Sequence, residues 1–431
     1  MKICVVKPSL FGRKAKDALP PLLFAILLPL TPPDVELVFY DENIEQVPKS
    51  PSCSAVAISI DTFTAQRGYF LADRYRKQGI PVILGGIHVS FCPEEASLHA
   101  DAIVIGEAED TWGLVVRDLR QGALMKRYFS ENNIELSEVS YDYSVYSGKK
   151  YNPVMIAQFT RGCKYACDFC SVHALHGSLV RTRPVSAVAE TVGKLPKGIV
   201  FFADDNLFSN QAEAERLLTA LRALKRRWVC QISIDAAKDP GFLMKLRQSG
   251  CIMVIIGFES LEPENLRQMR KAANLSSVYE TAIANIHKAG LMIYGTFVIG
   301  YDADTAETAG KLVSFAEEHR FAIANFNPLI PTPGTPLYDR LASEGRLLYE
   351  AWWNDPLYCY GDTAYKPAAM TPEELAESCR KARVGFYSAR SIIKRFRGAN
   401  IRNIAHAVAY MLANIISGIS ISQKQGRKLG G

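Results

Sequence analysis

What this chain of 431 residues lacks narrows its function first. It has no disulfide framework. Of its ten cysteines, Cys4, Cys53, Cys92, Cys163, Cys167, Cys170, Cys230, Cys251, Cys359 and Cys379, only three cluster, and the rest fall singly among apolar neighbours. That usage points to a reducing compartment. Charge is also scarce: a formal net of +6 is mild for this length and leaves no nucleic-acid footprint, so no nucleic-acid partner is expected. The apolar stretch Leu19–Leu30 is too short to span a bilayer, and Pro20, Pro21 and Pro29 interrupt it. The opening residues Met1-Lys2-Ile3-Cys4-Val5-Val6 read directly as a strand, so no signal peptide is expected and a cytoplasmic enzyme is the expectation. No internal repeat or low-complexity block occurs.

What is present is ample core-forming material, with 48% hydrophobic and 22% charged residues, enough for two or three domains. Residues 1–125 alternate short β-branched runs with helical segments. Strands are expected at Ile3–Lys7, Val35–Tyr40, Ala55–Ile60, Val82–Gly85 and Ala102–Ile105, with a clear helix over Phe63–Lys77. Such alternation predicts a doubly wound α/β domain with a parallel sheet. Ligands of such sheets sit beyond the carboxyl ends of the strands, which here carry Ser59, Asp61, Gly85, Gly86, His88, Gly106 and Glu107.

Residues 126–152 read as a polar linker. A second alternating series follows over 153–345, with strands at Val154–Phe159, Ile199–Ala203, Val229–Ile234, Met253–Phe258, Tyr294–Ile299 and Ala322–Pro328, and helices such as Gln211–Lys225 and Ser276–Ala289. These six units predict a partial (β/α)6 barrel. Residues 346–431 read as a mainly helical tail.

The decisive segment is Thr160-Arg161-Gly162-Cys163-Lys164-Tyr165-Ala166-Cys167-Asp168-Phe169-Cys170. Three thiolates at C-x3-C-x2-C spacing can hold three irons of a cuboidal 4Fe–4S cluster, where common clusters use four cysteines. One iron is left open to a ligand, and the loop follows a barrel strand at its active-site end. Zinc completed by His173 or His176, and three plain buried thiols, are the other readings of these residues.

This segment resembles the signature of the radical S-adenosylmethionine (SAM) superfamily, C-x3-C-x-aromatic-C, with Phe169 as the aromatic residue. The resemblance implies that SAM chelates the open iron and is split reductively to a 5′-deoxyadenosyl radical. Cys163, Cys167 and Cys170 would hold the cluster, and Phe169 would lie against the adenine, unless it is a plain core aromatic. By the same resemblance, Asp204, Asp205 and Asn206 would receive the methionine amino group, and Gly257 and Glu259 the ribose. Thr296 and Gly300 would contact the adenine. Two of the acids could instead be capping or solvated.

The first domain resembles the cobalamin-binding domain fused to one subclass of that superfamily. The likeness rests on Leu19-Pro20-Pro21-Leu22, Tyr40-Asp41-Glu42-Asn43, Ile83-Leu84-Gly85-Gly86-Ile87-His88 and Val104-Ile105-Gly106-Glu107-Ala108-Glu109. Cobalamin proteins that bind cobalt through a histidine carry Asp-x-His-x-x-Gly after the first strand. Here Pro8-Ser9-Leu10-Phe11-Gly12 stands there, so cobalt would have no histidine ligand. His88 would either contact the cobalamin or bond a nearby backbone group.

In the tail, Ile404, Val408, Met411, Leu412, Ile415 and Ile419 recur at helical spacing, flanked by Arg395, Arg397, Arg402, Lys424, Arg427 and Lys428. Such a helix either packs on the barrel or lies on the inner membrane surface. The resemblance implies a cobalamin-dependent C-methyltransferase acting on an unactivated carbon of a lipid or other small molecule, fed by an external one-electron reductant. A non-methylating radical SAM enzyme, and a non-catalytic corrinoid carrier or iron–sulfur sensor, are the alternatives.

Overall fold

The computed structural model describes residues 1–131, 134–271 and 278–431. Its first sheet holds β1 (Lys2–Lys7), β2 (Glu36–Asp41), β3 (Ala55–Ser59), β4 (Val82–Gly85), β5 (Ala102–Ile105) and β6 (Arg127–Phe129). All run parallel in the order β2-β1-β3-β4-β5-β6. The strands are apolar on both faces because helices cover both. Ile3, Val5, Ala57 and Val104 bury against helices 22–30 and 112–120. Cys4, Val6, Ile58 and Leu84 bury on the other side with helix 65–76. The strand order reverses between β1 and β3, which places the ligand crevice at their carboxyl ends.

β6 falls in the stretch that the sequence reads as linker. Three residues at a sheet edge carry no readable period. The rest of that stretch is tied to the first sheet: the Tyr146 hydroxyl donates to the Pro21 carbonyl (2.6 Å) and Tyr151 to Asp41 (3.0 Å).

The second sheet comprises β7 (Val154–Ala157), β10 (Ile199–Phe202), β11 (Arg227–Gln231), β12 (Cys251–Glu259), β13 (Met292–Ile299) and β14 (Ile323–Pro328), all parallel in the order β14-β13-β12-β11-β10-β7. Alternate residues such as Phe202, Trp228, Val254, Phe258, Phe297 and Phe326 bury against the helices as one core. The intervening residues, among them Thr296 and Asn325, therefore face the inner side of the partial barrel. A short antiparallel hairpin, β8 (Thr160–Arg161) and β9 (Arg181–Thr182), brackets the cysteine segment. The helix expected over Ser276–Ala289 runs from Tyr279 to Ala289, and Ser276 and Ser277 lie outside the described residues.

The tail joins the two sheets. Trp352, Trp353 and Tyr358 bury in the core of the first domain. Helices Pro372–Phe386, Ala389–Phe396 and Ile404–Lys424 pack on the barrel. The last of these turns its polar residues inward: His406, Tyr410 and Asn414 are buried. Its apolar stripe faces out, with Ile404 84%, Val408 51%, Leu412 53% and Ile415 48% exposed. Arg395 is not free for any headgroup: it is fully buried and donates to the carbonyls of Phe321, Ala322 and Phe386 and to Asn414. Among the described residues no helix is long and apolar enough to cross a membrane.

Candidate active site

The cysteine loop is held in place before any ligand arrives. Gly162 opens it at φ +93°, and a Cβ there would strike the Leu179 carbonyl, so glycine is required. The Gly162 N–H donates to the Asp205 carboxylate at 2.8 Å. At the far end Asp168 accepts from the Tyr301 hydroxyl at 2.6 Å and faces Arg340 at 3.9 Å. Phe169 is half-buried against the barrel core.

All three thiols are free, with Cys167 buried and Cys163 and Cys170 half-buried. Burial pushes the Cys167 thiol up to about 12 and moves Cys170 in the same direction, so a metal is what makes thiolates stable there. No three His, Cys, Asp or Glu side chains among the described residues converge as a single-ion site requires. Three spaced sulfurs suit a polynuclear cluster, in which each bonds a different iron.

The acids after β10 divide their duties. Both oxygens of Asp204 are occupied: they accept from the N–H groups of Phe159 and Thr160, and from the Thr160 hydroxyl at 2.7 Å. Burial raises its carboxyl to about 7 against those donors. Asn206 likewise serves the chain, accepting from the N–H groups of Phe208 and Ser233. Both are positioning residues for the strand that launches the loop. Asp205 accepts from Gly162 on one oxygen, the other accepts no hydrogen bond among the described residues, and burial pushes its carboxyl up as well.

After β12, a bulge at Gly257–Glu259 turns Glu259 to φ +64°, a strained conformation for a side-chain-bearing residue. Its carboxylate pairs with the Lys271 ammonium at 2.5 Å, and Lys271 also donates to the Gly257 carbonyl at 3.1 Å. A Cβ at Gly257 would collide with that pair. Burial works to lower the Lys271 ammonium, but Glu259 with Cys167 and Cys170 outweighs it and raises it. Gly257, Thr296 and Asn325 stand in register across three strands. Gly300, at φ +121°, is held by Asp304 on its N–H and by Tyr365 on its carbonyl, which makes it a turn residue.

At the first sheet, Val5, Ser59, Gly85, Gly86 and Gly106 line an apolar cleft with Leu27 and Trp112 at the strand ends. The small residues leave that cleft open to a flat, largely apolar group. Gly86 is demanded by the backbone as well: at φ +102° its Cβ would strike the Ile60 carbonyl. The polar residues expected there are occupied elsewhere. Asp61 caps the turn 62–64. His88 is fully buried, bonded to Glu95 at 3.3 Å and edge-on to Trp353. Glu107 accepts from Arg161 at 2.5 Å and from Arg181 at 2.6 and 2.8 Å, while Glu109 accepts from Arg161 at 2.8 Å. These bonds join the first domain to the hairpin that brackets the cysteine loop.

Residues 26–116 match the B12 binding domain and residues 157–316 the radical SAM superfamily. Bacteriochlorophyllide d C-8(2)-methyltransferase of Chlorobaculum tepidum is 30% identical, over 77% of this chain and 78% of the relative. This chain belongs to the cobalamin-binding radical SAM methyltransferases. Bacteriochlorophyllide d C-12(1)-methyltransferase of the same organism is 29% identical over 88% of this chain and 85% of the relative. Hopanoid C-2 methylase of Rhodopseudomonas palustris is 26% identical over 77% and 66%. The fold is shared with the cobalamin-dependent SAM radical enzyme OxsB (13% identity, TM-score 0.68, covering 98% of this chain and 72% of that one). It is also shared with the radical SAM methyltransferase TsrM of Kitasatospora setae (16% identity, TM-score 0.64, 80% and 76%). The cofactors of this radical SAM enzyme are a 4Fe–4S cluster, SAM and cobalamin.

Three residues of this methyltransferase site carried no readable signal. Lys271 lies in a loop remote from the cysteines in sequence. Tyr301 and Arg340 reach Asp168 from two further elements. Arg161 stood inside the cysteine motif, but only the fold reveals its partners.

Proposed function

We propose that the chain methylates an unactivated carbon of a hydrophobic, polycyclic small molecule. The observation that carries this reading is the joining of a cysteine loop to an apolar strand-end cleft by the buried Arg161–Glu107–Arg181 bridge. One charged network thereby sets the distance between the two cofactor sites. When bound, the cluster with SAM supplies a carbon-centred radical and the cobalamin supplies a transferable methyl group.

The chain's own residues bind, orient and exclude water. Cys163, Cys167 and Cys170 would hold the cluster, and Asp205, the unspent acid after β10, would meet the methionine amino group. Glu259 and Lys271 would exchange part of their mutual pairing for the ribose and carboxylate of SAM. Ser59, Gly85, Gly86 and Gly106 would lie against the corrinoid, and Asp204, Asn206, His88 and Glu107 would position the backbone. The names of the relatives, bacteriochlorophyllide methyltransferases and a hopanoid methylase, support a large apolar substrate. An external one-electron donor completes the reaction. Incubating the holoenzyme with trideuteromethyl SAM and an organic-solvent extract of the host tests this. An apolar product carrying the intact label is expected. Label confined to water-soluble metabolites would contradict the reading.

The exposed stripe of helix 404–424 supports a second part of the proposal, contact with an anionic membrane face. Fully burying a Leu or Ile is worth about 1.5–3 kcal/mol, a gain this stripe leaves in part unrealised. Arg397 and Arg402 stand exposed nearby with no acidic partner among the described residues. Sedimentation with phosphatidylglycerol vesicles, lost on Leu412→Lys, is the expected outcome. Equal sedimentation of the variant would remove this part.

A further inference from the structure

A cavity of about 310 Å³ opens between the inner face of β13 and β14 and the inward side of helix 404–424, where Tyr294, Asn325, Asn327, Arg383 and Tyr387 line it. Its inner wall continues the row Gly257–Thr296–Asn325, so it adjoins the strand ends assigned above to SAM.

Arg383 is the unexplained group in this cavity. It is 8% exposed and has no carboxylate within ion-pair distance among the described residues. Its one side-chain bond is to Gln425 (2.7 Å), and its Nε finds no partner. Arg395, equally buried, makes a useful contrast, because its guanidinium is spent on four protein oxygens and the Ser391 hydroxyl. A buried cation without a partner is costly, whereas a guanidinium facing a pocket is well made for a planar anion. The other charges on the lining cancel: Lys424 pairs with Asp17 at 2.6 Å. The cavity therefore carries a net single positive charge, set among phenols and amides.

We propose that this cavity is the substrate's anchoring pocket and that Arg383 binds a carboxylate on an otherwise apolar substrate. The site rests on the methyltransferase reading and names the substrate class: a flat hydrophobic molecule bearing one monoanionic carboxylate. A singly charged carboxylate matches the single uncompensated cation. Anchored at Arg383, such a molecule extends along the inner face of β13 past Asn325 towards Thr296.

The test uses the reconstituted holoenzyme and two fluorescent probes, 1-pyrenebutyrate and its methyl ester, which differ only in the charge. The acid is expected to bind saturably and at least about tenfold more tightly than the ester, the size of one charge-assisted hydrogen bond. Arg383→Gln should bring the acid to the ester's affinity, and Arg383→Lys should keep part of the preference. Equal binding of acid and ester to the wild type, no saturable binding of either, or a preference that survives Arg383→Gln overturns the proposal. If Arg383→Gln does not fold, Asn325→Leu, which narrows the cavity, must weaken the acid, and unchanged affinity is equally fatal. Formation of 5′-deoxyadenosine, measured on the same preparations, separates the two readings. Cleavage without acid preference removes only the anchor, and preference without cleavage removes the radical chemistry.

Discussion

The two sets of strand ends use their residues in opposite ways. At the mouth of the barrel, charged and sulfur groups stand ready for a ligand: three free thiols, the second oxygen of Asp205, and the Glu259–Lys271 pair. At the first sheet every polar group of note is spent inside the protein, His88 on Glu95 and Glu107 on Arg161 and Arg181. What remains there is glycine, serine and apolar wall. The difference suits the cofactors. SAM brings an amino group, a carboxylate and hydroxyls that need partners, whereas a corrinoid face needs room and a dry surface.

The largest effect that can break this comparison is at the barrel. Cys163→Ala is expected to lower bound iron and to cut 5′-deoxyadenosine formation by roughly a thousandfold, since the three sulfurs act as a unit. Iron analysis and product chromatography check it. Retained cleavage would mean that the loop is not the cluster site.

Next comes the bridge between the regions. Glu107→Gln leaves Arg181 without its carboxylate and Arg161 with Glu109 alone, and should cost about 3–5 kcal/mol by denaturant unfolding. The exposed pair Arg216–Glu213 should cost no more than about 1 kcal/mol when broken. The pH dependence follows from the same carboxylate. Burial pushes Glu107 up, but Arg181 and Arg161 outweigh it and hold it below the usual carboxylate range. Its stabilisation is therefore present above that range and lost as pH falls through the depressed value. The acid limb of unfolding should be steeper in the wild type than in Glu107→Gln.

A smaller effect is expected from Glu259→Gln, which removes one charge-assisted partner of the ribose. The KM for SAM should rise about tenfold to a hundredfold with less change in kcat. The smallest lies at the first sheet: His88→Gln should leave the visible spectrum of bound cobalamin unchanged. A shifted cobalt band would place His88 against the metal and reverse the assignment made here.

Much of the frame was legible from sequence. All eleven expected strands recur within a few residues because fully buried parallel strands read as continuous apolar runs. Hidden were β6, three residues inside a polar stretch, and the two-residue strands β8 and β9 of the hairpin. The cysteine motif was legible too, since a spacing contained within eight residues is a local property. The duties of the strand-end residues were not. A short motif names residue types but not where their lone pairs go, so Asp204, His88 and Glu107 read as ligands' partners when their bonds go to the chain itself. The helix at 404–424 misled in another way. Its apolar stripe reads equally as a packed face or a membrane face, and the side the fold buries is the one carrying Tyr410 and Asn414, because Arg395 and the Ala322 carbonyl supply polar partners there.

The central claim, that both cofactors act in one reaction, is tested most directly by counting nucleosides. The anaerobically reconstituted enzyme is incubated with SAM and reductant, with and without cobalamin, beside Cys163→Ala. The account predicts 5′-deoxyadenosine and S-adenosylhomocysteine together in the wild type, the first lost with Cys163 and the second lost without cobalamin. Formation of 5′-deoxyadenosine alone, at a rate indifferent to cobalamin, would contradict it.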